Sequence, residues 1–320
     1  MLETGGRNRH DYQIKHMSPT TRIAPDVGWL PISFVNVYFV GRAGGPWLLV
    51  DTGLAGRASQ IIAAAEARFG AGTRPEAIVL THGHFDHAGN AAELSEKWEV
   101  PIYAHRMELP YLTGRSSYPP PDPTIGGAIA FLSRFMPSKP YDFSAQVREL
   151  QPSELPGAPG WEWLPTPGHS PGHISLFRPS DRVLLAGDAF ATMNMDSWTG
   201  LITGKQVLAR AGAPFNMDWD ATRSSVRQLA KLRPNVVGCG HGIPMSDPEL
   251  PSRMARFADR FRAPRRGRYV RAAARTDESG VVALPRPPAD PVPFATVASL
   301  VAVGIALGAG VLDPPPRRRR

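Results

Sequence analysis

Short continuous apolar runs alternate along this chain with stretches in which apolar residues recur at helical spacing. FVNVYFV at 34–40 and WLLV at 47–50 read as strands joined by the GRAGG turn at 41–45. Ile61, Ile62, Ala65 and Phe69 recur at helical spacing, which predicts a helix over about 57–69. AIVL at 77–80 is apolar at every position, as in a strand buried on both faces. A helix at about 89–97 and the strand PIYA at 101–104 follow. Residues 106–145, with YPPPDPT, are expected to be irregular. WEWL at 161–164, HISLF at 173–177 and RVLLA at 182–186 are predicted strands, followed by a loop at 189–217. A helix is expected from about Asp220 to Leu232, capped by Asp218 or Asp220. VVGC at 236–239 is the last strand, and a helix at about 249–262 closes the domain. Such mixing of strands and helices predicts an α/β layered domain with its site at one sheet edge.

The 320 residues suit one large domain with appendages, and the 34 prolines favour loops over a helical bundle. Residues 1–20 read as a disordered extension, 21–265 as the main domain, 266–293 as a basic, proline-rich linker and 313–320 as a basic tail. Residues 294–312, FATVASLVAVGIALGAGVL, carry no charge over nineteen positions and read as a membrane anchor. Residues 1–28 lack the apolar stretch of a secretory signal, so the domain is expected in the cytoplasm, held at the inner membrane face by 294–312.

The net charge of +8 is concentrated near the C-terminus. Arg262, Arg265, Arg266, Arg268, Arg271 and Arg275 have no acid between them, and Arg317 to Arg320 follow. The remainder is nearly neutral, which argues against a nucleic-acid partner. The one cysteine, Cys239, excludes an internal disulfide and a multi-thiolate metal site. Any metal must be held by imidazole and carboxylate.

THGHFDHAG at 81–89 places three of the chain's nine histidines within six positions. A tight loop can turn several of these side chains toward one point, and imidazole and carboxylate are the ligands Zn²⁺ takes when thiolate is absent. Further candidates each follow an apolar strand: His169 and His173 in TPGHSPGH, Asp188 in LLAGDA, and His241 in GCGHG.

HGHFDH resembles the HxHxDH signature of the metallo-β-lactamase superfamily. Four more elements agree in order: DTG at 51–53, TPGH at 166–169, GD at 187–188 and GHG at 240–242. The resemblance implies a four-layer αββα sandwich. It implies that His82, His84 and His169 bind one metal, that Asp86, His87 and His241 bind a second, and that Asp188 bridges them. Asp51 would support the site from behind, Asp86 would also orient a hydroxide shared by two Zn²⁺, and His173 would be structural. Iron or manganese suit the same ligands.

Among sub-families, flavodiiron proteins carry Glu at the position of His84, and zinc β-lactamases typically have a cysteine near Asp188. What remains is similar to glyoxalase II and the lactonases, which implies a small-molecule thioester, lactone or related ester as substrate. The alternative is a mononuclear non-haem iron enzyme similar to persulfide dioxygenases. Tyr111, Tyr118, Phe131, Phe135, Met193, Met195 and Trp198 are available to line an apolar pocket.

Overall fold

The computed structural model describes residues 20–137, 139–151, 155–290 and 292. A seven-stranded sheet runs in chain order. It comprises β1 (Thr21–Ala24), β2 (Val27–Ile32), β3 (Val35–Gly41), β4 (Trp47–Val50), β5 (Ala77–Val79), β6 (Ile102–Ala104) and β7 (Val147–Glu149). The first four strands are antiparallel. From β4 onward the pairing is parallel, which requires crossovers. Helices α1 (Ala58–Phe69) and α2 (Ala91–Trp98) make the first two.

The second sheet has the order β13-β10-β9-β8. Its strands are β8 (Glu162–Pro165), β9 (Ile174–Arg178), β10 (Val183–Leu185) and β13 (Val236–Gly238). Helices α6 (Trp219–Lys231) and α7 (Leu250–Arg260) belong to this half.

Three buried clusters correspond to the three seams of a four-layer αββα sandwich. Val37, Phe39 and Leu49 pack against Ile61 and Leu94 of the first helical layer. The alternate residues of the same strands, Tyr38, Val40, Leu48 and Val50, pack against Ile174, Leu176, Val183 and Leu185 of the second sheet. Phe177 and Leu184 point the other way, onto Trp219, Val226, Leu229 and Met254. The strand period of two assigns successive residues to opposite seams, so the central strands are apolar throughout.

Several expectations need correction. Strands β1 and β2 lie where no element was predicted; Arg22, Asp26, Gly28 and Pro31 interrupt their apolar pattern. The 106–145 insert contains the short helices α3 (Leu109–Leu112) and α4 (Ala128–Leu132) among 3-10 turns. The loop at 189–217 contains β11 (Ala191–Met193), helix α5 (Trp198–Thr203) and β12 (Gln206–Ala209), with β11 and β12 paired antiparallel.

The segment expected as a linker is in large part structured. Tyr269 is buried, Ala274 donates its N–H to the Met217 carbonyl at 3.0 Å, and β14 (Arg275–Asp277) pairs with β15 (Gly280–Ala283). The proposed extension up to residue 19 and the apolar segment 294–312 lie outside the described residues. Among the described residues, no helix is long and apolar enough to cross a membrane.

Candidate metal centre

Three strand ends and one turn converge on a single point between the sheets. His82, His84, Asp86 and His87 follow β5; His169 sits in the β8–β9 turn; Asp188 follows β10; His241 follows β13. Ligand atoms group as His82–His84–His169, His82–His87–Asp188 and Asp86–His87–His241, with the atoms of each group within 4.8 Å of one another. All seven residues nominated from the sequence are therefore gathered in one place.

The distances are short for groups that repel or cannot pair. His82 Nε2 and His169 Nε2 each lie 3.0 Å from His84 Nδ1. Asp188 is central: its carboxylate oxygens lie 3.2 Å from His241 Nε2, 3.5 Å from His169 Nε2 and 3.7 Å from His87 Nε2. Asp86 Oδ2 is 3.5 Å from His241 Nε2.

The outer ring nitrogens account for their protons. His87 Nδ1 meets Asp51 Oδ2 at 2.8 Å, His169 Nδ1 meets the Asn216 side-chain oxygen at 3.1 Å, and His241 Nδ1 meets the Phe34 carbonyl at 2.7 Å. Each partner can only accept, or is already donating elsewhere, so each Nδ1 carries the hydrogen. Thr81 donates its hydroxyl to Asp51 at 2.8 Å and so accepts from His82 Nδ1 at 3.1 Å. His82, His87, His169 and His241 thus all turn Nε2 toward the same point. This is how a protein orients imidazole ligands. Two buried atoms there, His87 Nε2 and Asp188 Oδ1, have no hydrogen-bond partner. Buried polar atoms rarely go unpaired, and a divalent ion would satisfy both.

The electrostatics follow from burial and these neighbours. Burial and adjacent imidazoles hold His82 and His84 well below the ordinary histidine range. Burial also opposes charge on His87, but Asp51, Asp188 and Asp86 outweigh it and lift the ring to about 10. Asp188 is held well below the carboxylate range: burial opposes its ionisation, yet His241 and His87 more than compensate.

The supporting residues are specific. Asp51 sits just past β4 with φ of 59°, a backbone state uncommon for non-glycine residues and frequent at functional sites. It also accepts the Thr81 N–H at 2.7 Å. His173 Nε2 accepts the backbone N–H of Asp188 at 2.8 Å, and its Nδ1 lies 2.9 Å from the Thr166 hydroxyl. A side chain at Gly187, between these groups, would collide with the His173 ring. Asn36 of β3 holds the carbonyls of Cys239 and Gly242 at 2.9 and 2.7 Å and so fixes the His241 loop. Cys239 itself is buried, as a small apolar strand-end residue would be.

Glu108 was not visible from the sequence. It is fully buried and takes four hydrogen bonds from three segments. Gly83 N–H (3.0 Å) and the Tyr118 hydroxyl reach Oε2, while the Ser170 hydroxyl and the Gly172 N–H, both 2.7 Å away, reach Oε1. It ties the turn between His82 and His84 to the turn carrying His169. Burial pushes its carboxyl up, against the pull of these donors. Nothing near Glu108 in sequence signals this role, because every donor comes from elsewhere.

A cleft of about 310 Å³ opens on the centre, lined by His84, Asp86, His169, Asp188 and His241 and walled by Phe34, Phe85, Ile129, Met136, Met195 and Phe215. Of the residues nominated as pocket lining, Met195 is in this wall, and Tyr118 lines an adjoining cavity beside His84. Tyr111 is buried behind Tyr118, with the rings stacked at 4.1 Å. Met193 packs in a small core cluster, and Phe131, Phe135 and Trp198 form a separate group outside the cleft.

The metallo-beta-lactamase superfamily model matches residues 30–241. The chain is 40% identical over 242 residues to the probable metallo-hydrolase YflN of Bacillus subtilis, covering 74% of this chain and 92% of that protein. It is 32% identical over 208 residues to the probable metallo-hydrolase YybB of the same organism, covering 65% of this chain and 80% of that one. Among solved structures, a B3 metallo-beta-lactamase with an active-site glutamic acid superposes with a TM-score of 0.52 at 17% identity, over 79% of this chain and 93% of that one, a likeness of fold alone. With the family model matched across two thirds of its length and a relative 40% identical over most of both chains, this chain belongs to the metallo-beta-lactamase superfamily.

Proposed function

We propose that this protein is a metal-dependent hydrolase that cleaves a thioester, lactone or related ester of a small molecule, with two Zn²⁺ as its resident metals. His82, His84 and His169 would hold one ion, Asp86, His87 and His241 the other, and Asp188 both. The observation that carries this reading is the set of four inward-turned Nε2 atoms around Asp188, with His87 Nε2 and Asp188 Oδ1 lacking any other partner. When bound, such a pair of ions lowers the pKa of a shared water toward neutrality and polarises a substrate carbonyl.

The chain's own residues do the rest. Asp86 borders the cleft and can accept a hydrogen bond from the attacking water, which orients it. Phe34 stacks on His241 with ring centroids 5.9 Å apart, and Phe215 lies 5.6 Å from the His84 ring, so apolar substrate atoms are held against the reacting centre. The same walls exclude bulk water, which strengthens each electrostatic interaction inside.

Elemental analysis of purified protein beside His84→Ala tests the reading. About two zinc per wild-type chain, reduced in the variant, is the expected result, followed by turnover within a thioester and lactone panel. One iron per chain, with oxygen uptake on persulfide, would replace it with the dioxygenase alternative.

A further inference from the structure

Three features of unlike chemistry meet on one side of the molecule. The first is an aromatic and aliphatic ridge. Phe135, Trp198 and Ile202 are 46%, 52% and 82% exposed, and Phe131 joins them, its ring centroid 6.4 Å from Phe135 and 6.0 Å from Trp198. Trp198 and Ile202 lie one turn apart on α5 and so share a face. Exposed apolar patches of this kind mark interaction sites.

The second is an open groove lined by Arg265, Arg266, Arg268, Arg271 and Arg286. None of the five forms an ion pair among the described residues. The groove is firmly built: Arg268 Nε donates to the Pro285 carbonyl at 2.8 Å, its backbone N–H donates to Asp122, and the Tyr269 hydroxyl donates to the Pro120 carbonyl at 2.7 Å.

The third is the course of the chain. Four residues after Arg286, Asp290 accepts two hydrogen bonds of 2.8 Å from Arg134, whose guanidinium lies 5.6 Å from the centre of the Phe131 ring. The backbone therefore passes from the arginine groove directly to the ridge. The uncharged run 294–312 begins four residues further on.

We propose that this face, with its apolar ridge and arginine groove, lies against an anionic lipid bilayer and turns the cleft toward it. Apolar side chains inserted at the headgroup boundary, flanked by cations over acidic lipids, are the chemistry of interfacial binding. Unpaired arginines suit phosphate oxygens, which they grip with two parallel donors. The ridge also adjoins the catalytic cleft, since Ile129 and Met136, from the segment bearing Phe131 and Phe135, form part of its wall. A substrate dissolved in the lipid would enter from the membrane side.

Vesicle flotation with the full chain tests the proposal, on phosphatidylcholine alone and mixed with phosphatidylglycerol. Four full-chain or shortened forms are compared: wild type, F135S/W198S/I202S, R265Q/R266Q/R271Q/R286Q, and a chain ending at residue 290. Zinc content and thermal midpoint show that each is folded. Binding should favour the anionic vesicles and weaken with salt. The chain ending at 290 should retain weaker, salt-sensitive binding. Each arginine removed should cost about fivefold in partitioning, so the quadruple variant should fall by roughly 600-fold.

Full-chain variants that bind like wild type would overturn the proposal, since 294–312 alone would then be the attachment. So would flotation of the shortened chain but not the full one, which would mean that 294–312 covers the ridge in the same molecule. Absence of all vesicle binding, or arginine variants that lose only oligonucleotide binding, would also overturn it. Because no turnover is read, failure here is distinct from failure of the hydrolase reading.

Discussion

Replacing Glu108 by glutamine changes no volume but removes half of the acceptor capacity at a fully buried junction. The carboxylate takes two donors on each oxygen, from Gly83 and Tyr118 on one and from Ser170 and Gly172 on the other. A glutamine amide can keep one of these pairs. Its NH₂ then faces the other pair, where the hydroxyl can rotate away but the backbone N–H cannot. A hydrogen bond to a charged group contributes about 1.5–3 kcal/mol, and a stranded buried donor costs a comparable amount. Two such bonds lost, with partial recovery by the hydroxyl, give about 3–5 kcal/mol of destabilisation. For a domain of this size that is on the order of 10 °C in the thermal midpoint.

On the proposed reading, the change should weaken metal binding as well. Gly83 separates His82 from His84, and Ser170 adjoins His169, so both turns lose their common brace. Supporting groups of this kind typically govern about 10–100-fold in metal affinity. Thermal unfolding followed by circular dichroism, together with zinc competition against a chromogenic chelator, measures both effects. A Glu108→Gln protein with the wild-type midpoint to within about a degree, and zinc affinity within about twofold, would refute the bracing argument.

Further outcomes are expected. A Cβ at Gly240 would collide with the Asp188 carboxylate and the His87 ring, so Gly240→Ala should lose metal and activity while circular dichroism reports a folded chain; retained stoichiometric zinc would contradict this. Burial holds His173 down to about 3, against about 6.5 in the unfolded chain, so as pH falls through about 6.5 the unfolded chain takes up the proton first. The metal-free protein should therefore lose stability from about pH 6.5 downward, by up to about 1.4 kcal/mol per pH unit for this group; urea unfolding of His173→Gln should give a shallower slope, and equal slopes would reject the assignment. Asp218 accepts from the backbone N–H groups of Asp220 and Ala221 at the start of α6, so Asp218→Ala should cost about 1 kcal/mol, whereas Asp220→Ala should cost less. Leu229→Ala, in the seam beneath α6, should cost about 2–5 kcal/mol in denaturant unfolding.

The sequence by itself determined the elements whose apolar period is uninterrupted, and the side chains that follow them. AIVL before the histidine run could only be a buried strand, and the helix over 219–231 announced both its apolar stripe and its cap. The seven residues at the candidate metal centre were readable because their chemistry is local: each is an imidazole or carboxylate in the loop that follows an apolar strand. Strands β1 and β2 were not readable, since they lie at the edge of the sheet and mix charged, glycine and proline positions with apolar ones. Their identity comes from pairing, β2 with β3 and β1 with β2.

Only the tertiary structure decided what holds the site. Glu108 accepts from groups 10 to 64 residues away, Asn36 donates to carbonyls 203 and 206 residues away and Asn216 meets a ring 47 residues away, and a buried acceptor carries no periodic signal. The same holds for the residues beyond 266, where a high arginine and proline content reads as a linker. There Tyr269 is buried among the residues of the second helical layer and donates to the Pro120 carbonyl of the insert, and the β15 residue Val281 donates its N–H to the Ser116 hydroxyl. Periodicity reports how a segment meets its own layer; which distant donor meets which acceptor is set by the stacking of four layers.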